Sequence, residues 1–143
     1  MKDFPSKLRA KRKAIEVNQG ELAKALGVCH ASVNHWEMGD ATPTFFATDA
    51  IADYFECSVD ELIGREGYNY TPPKKMREFK DILYDKMVKN NFTFKTLAEA
   101  IGVCHTAIRN WTSGKSYPDL KQLCAFADAF ECSIDELMGR KPR

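Results

Sequence analysis

Apolar residues along this chain fall three and four places apart and almost never alternate. Phe4 and Leu8 are four apart, as are Phe79, Leu83 and Met87, so each half of the chain opens with a helix that has one apolar face. No segment keeps a period of two for long enough to be a strand. The polar residues between the apolar runs act as helix punctuation. Asn18 and Glu21 form a capping box, in which the Asn side chain accepts from the Glu21 backbone N–H and Glu21 answers back. It opens a helix from Gln19 to Leu26. Asp119 and Gln122 repeat the device. Ser58 with Glu61 and Ser133 with Glu136 have the same spacing, each opening a short helix that stops at Gly64 or Gly139. Gly27 and Gly102 follow the second helix of each half, where a left-handed residue is cheap only for glycine. A third helix is expected from His30 to Met38 and from His105 to Ser113, ended by Gly39 and Gly114. Pro43 and Pro118 then mark the loop before a fourth. The pattern is all-α, with five helices in each half.

The halves are copies. Leu22-Ala-Lys-Ala-Leu-Gly-Val-Cys-His30 returns as Leu97-Ala-Glu-Ala-Ile-Gly-Val-Cys-His105, and the register holds without a gap to Gly64-Arg65 and Gly139-Arg140. Each copy is a domain of roughly 65–70 residues, and one so small must be tightly helical to bury a core. We therefore expect one domain over residues 1–65, a linker over 66–75 and a second domain over 76–143. Pro72-Pro73 stiffens the linker, and Tyr68 and Tyr70 within it are expected to pack on one domain.

Charge changes the picture only locally. The net charge of +1 averages −2 over residues 1–65 and +3 over residues 66–143. The chain is thus no polybasic coat, and any nucleic-acid contact must come from one face. Its five cysteines are an odd number at helical, mostly apolar positions. That argues against a secreted disulfide framework and points to a reducing cytoplasm. Cys29, Cys57, Cys104, Cys124 and Cys132 are expected to pack as small hydrophobes. Adjacent helical residues point roughly 100° apart, which argues against Cys29 and His30 sharing a metal. Neither a signal peptide nor a membrane span is expected.

The second and third helices carry the functional signal. Counting from Gln19, a helix-turn-helix needs a small residue at the fifth place, and Ala23 and Ala98 stand there. It needs glycine at the ninth, supplied by Gly27 and Gly102. It needs apolar residues facing inward at five more places. Copy one supplies Leu22, Leu26, Val28, Val33 and Trp36, and copy two Leu97, Ile101, Val103, Ile108 and Trp111. This motif lays its second helix in the DNA major groove. With Val33 and Trp36 inside, the outward face holds His30, Ala31, Asn34, His35 and Met38, with Ser32 at the margin. Copy two presents His105, Thr106, Arg109, Asn110 and Ser113. Ala meets a thymine methyl, Asn bridges adenine N6 and N7, and Arg109 can bond guanine O6 and N7 together.

From Asn18-Gln-Gly-Glu-Leu-Ala-Lys-Ala-Leu-Gly-Val-Cys-His-Ala-Ser-Val-Asn-His-Trp-Glu-Met-Gly39, through Pro43 to Ser58-Val-Asp-Glu-Leu62, the chain resembles the Cro/phage-repressor (XRE) family. The resemblance covers nearly the whole chain. It implies two tandem five-helix, lambda-repressor-like domains and a repressor-like regulator of transcription. It also implies that Gln19 touches the DNA backbone and a nearby base, and that Arg12 and Glu37 pair to join the first helix to the third. Copy two departs at these points. Phe94 replaces Gln19, leaving Lys95 to anchor phosphate, and Met87 with Thr112 replaces the charged pair.

Two readings follow. In the first, both domains read DNA, and one chain spans two half-sites about 34 Å apart. In the second, domain 1 binds DNA while domain 2, with Phe92, Phe94 and Tyr117, is a dimerisation or protein-interaction module. The expected partners are double-stranded DNA, then a second copy of the chain or a regulatory protein. No membrane, cofactor, metal or small-molecule ligand is implied, and no nucleophile–base set or phosphate loop suggests an enzyme. The acidic pairs Asp60-Glu61 and Asp135-Glu136 suit first turns of helices.

Overall fold

The computed structural model of the protein describes residues 3–65 and 78–140. All regular structure among them is helical. The first unit contains α1 (Phe4–Ala14), α2 (Gln19–Leu26), α3 (His30–Met38), α4 (Phe45–Tyr54) and α5 (Val59–Ile63). The second contains α6 (Phe79–Lys89), α7 (Phe94–Ile101), α8 (His105–Ser113), α9 (Leu120–Phe130) and α10 (Ile134–Met138). This is the expected all-α pattern of two five-helix domains. The whole segment read as a linker, with Tyr68 and Tyr70, lies outside the described residues.

Within domain 1, α3 packs on α1 and α2, α2 also on α4, and α5 on α1 and α4. Domain 2 repeats the arrangement. Leu8, Leu22, Val33, Ile51, Val59 and Leu62 are fully buried, as are their counterparts Leu83, Leu97, Ile108, Phe126, Ile134 and Leu137. Helix three of each domain is pinned inward by a tryptophan, Trp36 or Trp111. In domain 2 that ring meets Phe126 edge-on at 5.3 Å, and Phe126 stacks on Phe130 at 6.0 Å. Leu26, Val28, Ile101 and Val103 are half-buried rather than interior, because they line the turn at the domain edge.

The capping boxes at Asn18 and Asp119 form as predicted. Thr93 and Thr96 make a further one that lacks the usual acidic or amide third residue. At the short last helices only half of each box is present. Ser58 and Ser133 accept from the backbone N–H of Glu61 and Glu136. The glutamate carboxylates reach across instead, Glu61 to Lys11 of α1 (3.3 Å) and Glu136 to Lys86 of α6 (3.0 Å). Asp60 and Asp135 hold Arg65 and Arg140 just beyond the helix ends (2.9 and 3.0 Å). The acidic pairs therefore staple the last helix of each domain to the first, besides capping it.

Candidate nucleic-acid interface

The turn between α2 and α3 sets the interface. Gly27 adopts φ +71° and Gly102 φ +74°, in the left-handed region. A Cβ at either would meet nothing within 4 Å, so conformation rather than space demands glycine there. Such a conformation costs other residues roughly 1–2 kcal/mol. The Val28 N–H then bonds back to Ala23 O at 3.0 Å, and Val103 to Ala98 O at 3.1 Å, which closes the helix end. Ala23 and Ala98 are buried where the two helices meet.

The turn leaves one face of α3 in solvent. His30, Ala31, His35 and Met38 are exposed, while Ser32 and Asn34 are half-exposed. On α8, His105, Thr106, Arg109 and Ser113 are exposed and Asn110 is half-exposed. Lys95, one residue into α7, is exposed too. Each site residue expected from the sequence thus lies on its third helix or at the start of the helix before it.

The two domains join those helices differently. His30 Nε2–H donates to Gln19 Oε1 (3.1 Å). That leaves the Gln19 amide N–H groups as donors for a phosphate oxygen. In domain 2 the Phe94 ring meets His105 edge-on at 5.7 Å, holding the histidine by packing. Asn34 Nδ2 donates to Met38 Sδ (3.4 Å), a weak bond that leaves the amide free to turn to a base edge. Ser32 Oγ lies 3.1 Å from Cys29 Sγ, and His35 Nδ1 lies 3.7 Å from Asp40 Oδ2.

Arg12 is held behind this face. Its Nε and Nη2 bond both Glu37 oxygens (2.8 and 2.9 Å), and Nη1 donates to Val17 O (2.9 Å). The Glu37 hydrogen bonds and charge outweigh burial and raise the Arg12 pKa further. In domain 2, Met87 is buried and Thr112 bonds its own helix at Arg109 O (3.0 Å). Of the aromatic residues that favoured a protein-binding domain 2, Phe92 and Phe94 are half-buried against other rings of that domain, while Tyr117 is 42% exposed. Phe92 packs edge-on against Phe130 (5.6 Å), and the Tyr117 ring lies 6.4 Å from that of Phe79.

Two cysteine expectations are corrected. Cys57, Cys124 and Cys132 are buried, but Cys29 and Cys104 are exposed. They are the N-cap residues of α3 and α8, with extended backbone, so their side chains leave the interior just as the chain turns into the helix. The Ser32 hydroxyl, followed by its backbone N–H, lowers the Cys29 pKa. Among the described residues no three His, Cys, Asp or Glu side chains are grouped to hold a metal. No helix there is long and apolar enough to cross a membrane.

Comparison with known proteins agrees with this geometry. A family profile described as helix-turn-helix matches residues 8–62 and again 83–137. The chain is 38% identical over 68 residues to the HTH-type transcriptional regulator DicA of Escherichia coli, covering 47% of this chain and 50% of DicA. It is 39% identical over 59 residues to the cryptic phage CTXphi transcriptional repressor RstR of Vibrio cholerae, covering 41% and 53%. It is also 39% identical over 62 residues to the HTH-type transcriptional activator BcrR of Enterococcus faecalis, covering 43% and 30%. The chain spans about half or less of the length of these relatives. No solved structure matches it significantly.

Proposed function

The chain belongs to the helix-turn-helix family, in two tandem domains of the Cro/phage-repressor (XRE) type, and from that premise we propose that it is a sequence-specific, DNA-binding transcriptional regulator. It acts as a non-enzymatic cytoplasmic protein on double-stranded DNA. α3 and α8 enter successive major-groove faces about 34 Å apart, so one chain reads two half-sites. The observation that carries this reading is the repeated exposed face. Behind it stand the same alanine, glycine and tryptophan in both domains, while the residues on it differ. The site is therefore asymmetric. Domain 1 contacts it through Gln19, His30, Ala31, Ser32, Asn34 and His35. Domain 2 uses Lys95, His105, Thr106, Arg109 and Asn110. The relatives include a repressor and an activator.

Selection of binding sites from random DNA with the full chain tests it. Two enriched half-sites of different sequence are expected. Arg109→Ala then relaxes preference at one guanine, an effect of about 1–3 kcal/mol. Gln19→Ala weakens binding evenly across sequences. The assignment fails if neither substitution changes binding in a titration at fixed salt.

One observation favours a second reading, in which domain 2 engages a protein. The outer face of α6 carries Tyr84 and Val88, both more than half exposed, where α1 carries Arg9 and Lys13. A selected site only one half-site long supports that reading.

A further inference from the structure

Compared position by position, the two domains place different charge along the same edge. Domain 2 has exposed cations at four positions, on α7, α8 and α9 and in the loop after α8, where domain 1 has none. Lys95 in the first turn of α7 replaces Gly20, and Arg109 on α8 replaces Asn34. Lys115, just past Gly114, replaces Asp40, and Lys121 in the first turn of α9 replaces Phe46. All four are exposed, and among the described residues none of their side chains makes an ion pair. Domain 1 differs in both respects. Its Arg12 and Lys11 are held by Glu37 and Glu61, and Asp40 adds a negative charge beside His35. Lys24 against Glu99 runs the other way, but it lies toward the far end of α2 and α7.

These cations do not hold the fold. Lys95 and Lys121 sit where a helix dipole disfavours positive charge, and Lys115 projects into solvent. Their placement suits a polyanion lying along α8. Lys95 adjoins the start of that helix, because its neighbour Phe94 packs on His105. Lys115 stands at the other end, its backbone N–H bonded to Asn110 O at 3.0 Å. A helix seated in the major groove is bordered by phosphate strands, and free cations at both its ends face them. Lys80 also lies against Gly114 but is paired with Glu78 (3.6 Å) and adds no free charge.

We infer that domain 2 is the phosphate anchor of the protein: Lys95, Lys115 and Lys121, flanking the base reader Arg109, hold the DNA backbone, while domain 1 meets DNA with a nearly neutral face and contributes mainly base contacts. This rests on the DNA-reading function proposed above. It reverses the ranking that the loss of the Gln19 equivalent in domain 2 suggests.

Affinity of the full chain for its selected site, measured from about 50 to 200 mM salt, tests the assignment. Lys115→Ala and Lys121→Ala each flatten the plot of log affinity against log salt by about one, and the triple variant with Lys95→Ala by about three. Arg9→Ala removes an equally exposed cation from α1 and leaves the slope unchanged. Asp40→Lys with Phe46→Lys moves two cations into domain 1 and steepens it. If the triple variant keeps the parent slope, or Arg9→Ala flattens it as much as a domain 2 lysine does, the anchor lies elsewhere and the DNA-reading function stands. If the parent chain shows no sequence-selective binding, both fall.

Discussion

A thiol behaves as a small hydrophobe only where it is buried, and Cys29 is not. Beside Val28, it reads from sequence as another apolar position. One residue at a helix start decides the matter, since the N-cap backbone is extended and turns the side chain outward. The helix start at His30 was legible, but not that the residue just before it turns its side chain outward. Exposure and the Ser32 hydroxyl together give Cys29 a distinct chemistry. Its lowered pKa means that thiolate, the reactive form, persists to lower pH than in an ordinary thiol. Alkylation of the native protein with iodoacetamide, followed by peptide mass spectrometry from pH 6 to 9, should therefore show Cys29 reacting well before Cys57, Cys124 and Cys132. Ser32→Ala should move the Cys29 profile to higher pH. An unchanged profile in that variant removes the hydroxyl as the cause. Domain 2 carries Ala107 at that place, so Cys104 serves as an exposed thiol without the hydroxyl.

Between elements, the contact that separates the two domains most clearly joins α1 to α3. The loss of both Arg12 and Glu37 equivalents in copy two implied a real pair, and the bidentate contact at 2.8 and 2.9 Å bears this out. Glu37's side chain is only 4% exposed. Arg12→Met alone strands its charge and should cost about 3 kcal/mol. Adding Glu37→Thr, which installs the pair domain 2 already uses, should return stability to within about 1 kcal/mol of the parent. Urea unfolding in a Trp111→Phe background, with Trp36 reporting on domain 1, measures both. A double variant as unstable as the single one would show that domain 2 tolerates the change through repacking elsewhere. Helix positions were legible because apolar spacing and caps agreed with each other. The half-boxes at Ser58 and Ser133 were not, because a local pattern does not reveal that Glu61 and Glu136 are claimed by lysines fifty residues away. The Thr93–Thr96 box hid for the opposite reason: threonine at its third place does not match the usual pattern.

At the scale of the whole molecule, duplication made the fold legible twice and the site only once. Shared residues defined the scaffold, but a net charge of +1 concealed that domain 2 carries free cations at four positions on and beside α7, α8 and α9 where domain 1 has none. That contrast appears only when exposure and ion pairing are known residue by residue. If the scaffold is common and the reading faces alone choose the bases, the faces should be transferable. Ala31→Thr, Asn34→Arg and His35→Asn give the first two turns of α3, which meet the base edges, the outward residues of α8, since His30 and His105 already agree. None of the three changed positions is buried, so the variant should fold like the parent. Site selection should then return two half-sites of the same sequence in place of two different ones, with the spacing between them unaltered. The substitutions do not touch the connection between the domains. If the half-site read by α3 keeps its parental sequence, the bases there are chosen by something other than this face, and the division into a common scaffold and two separate readers is wrong.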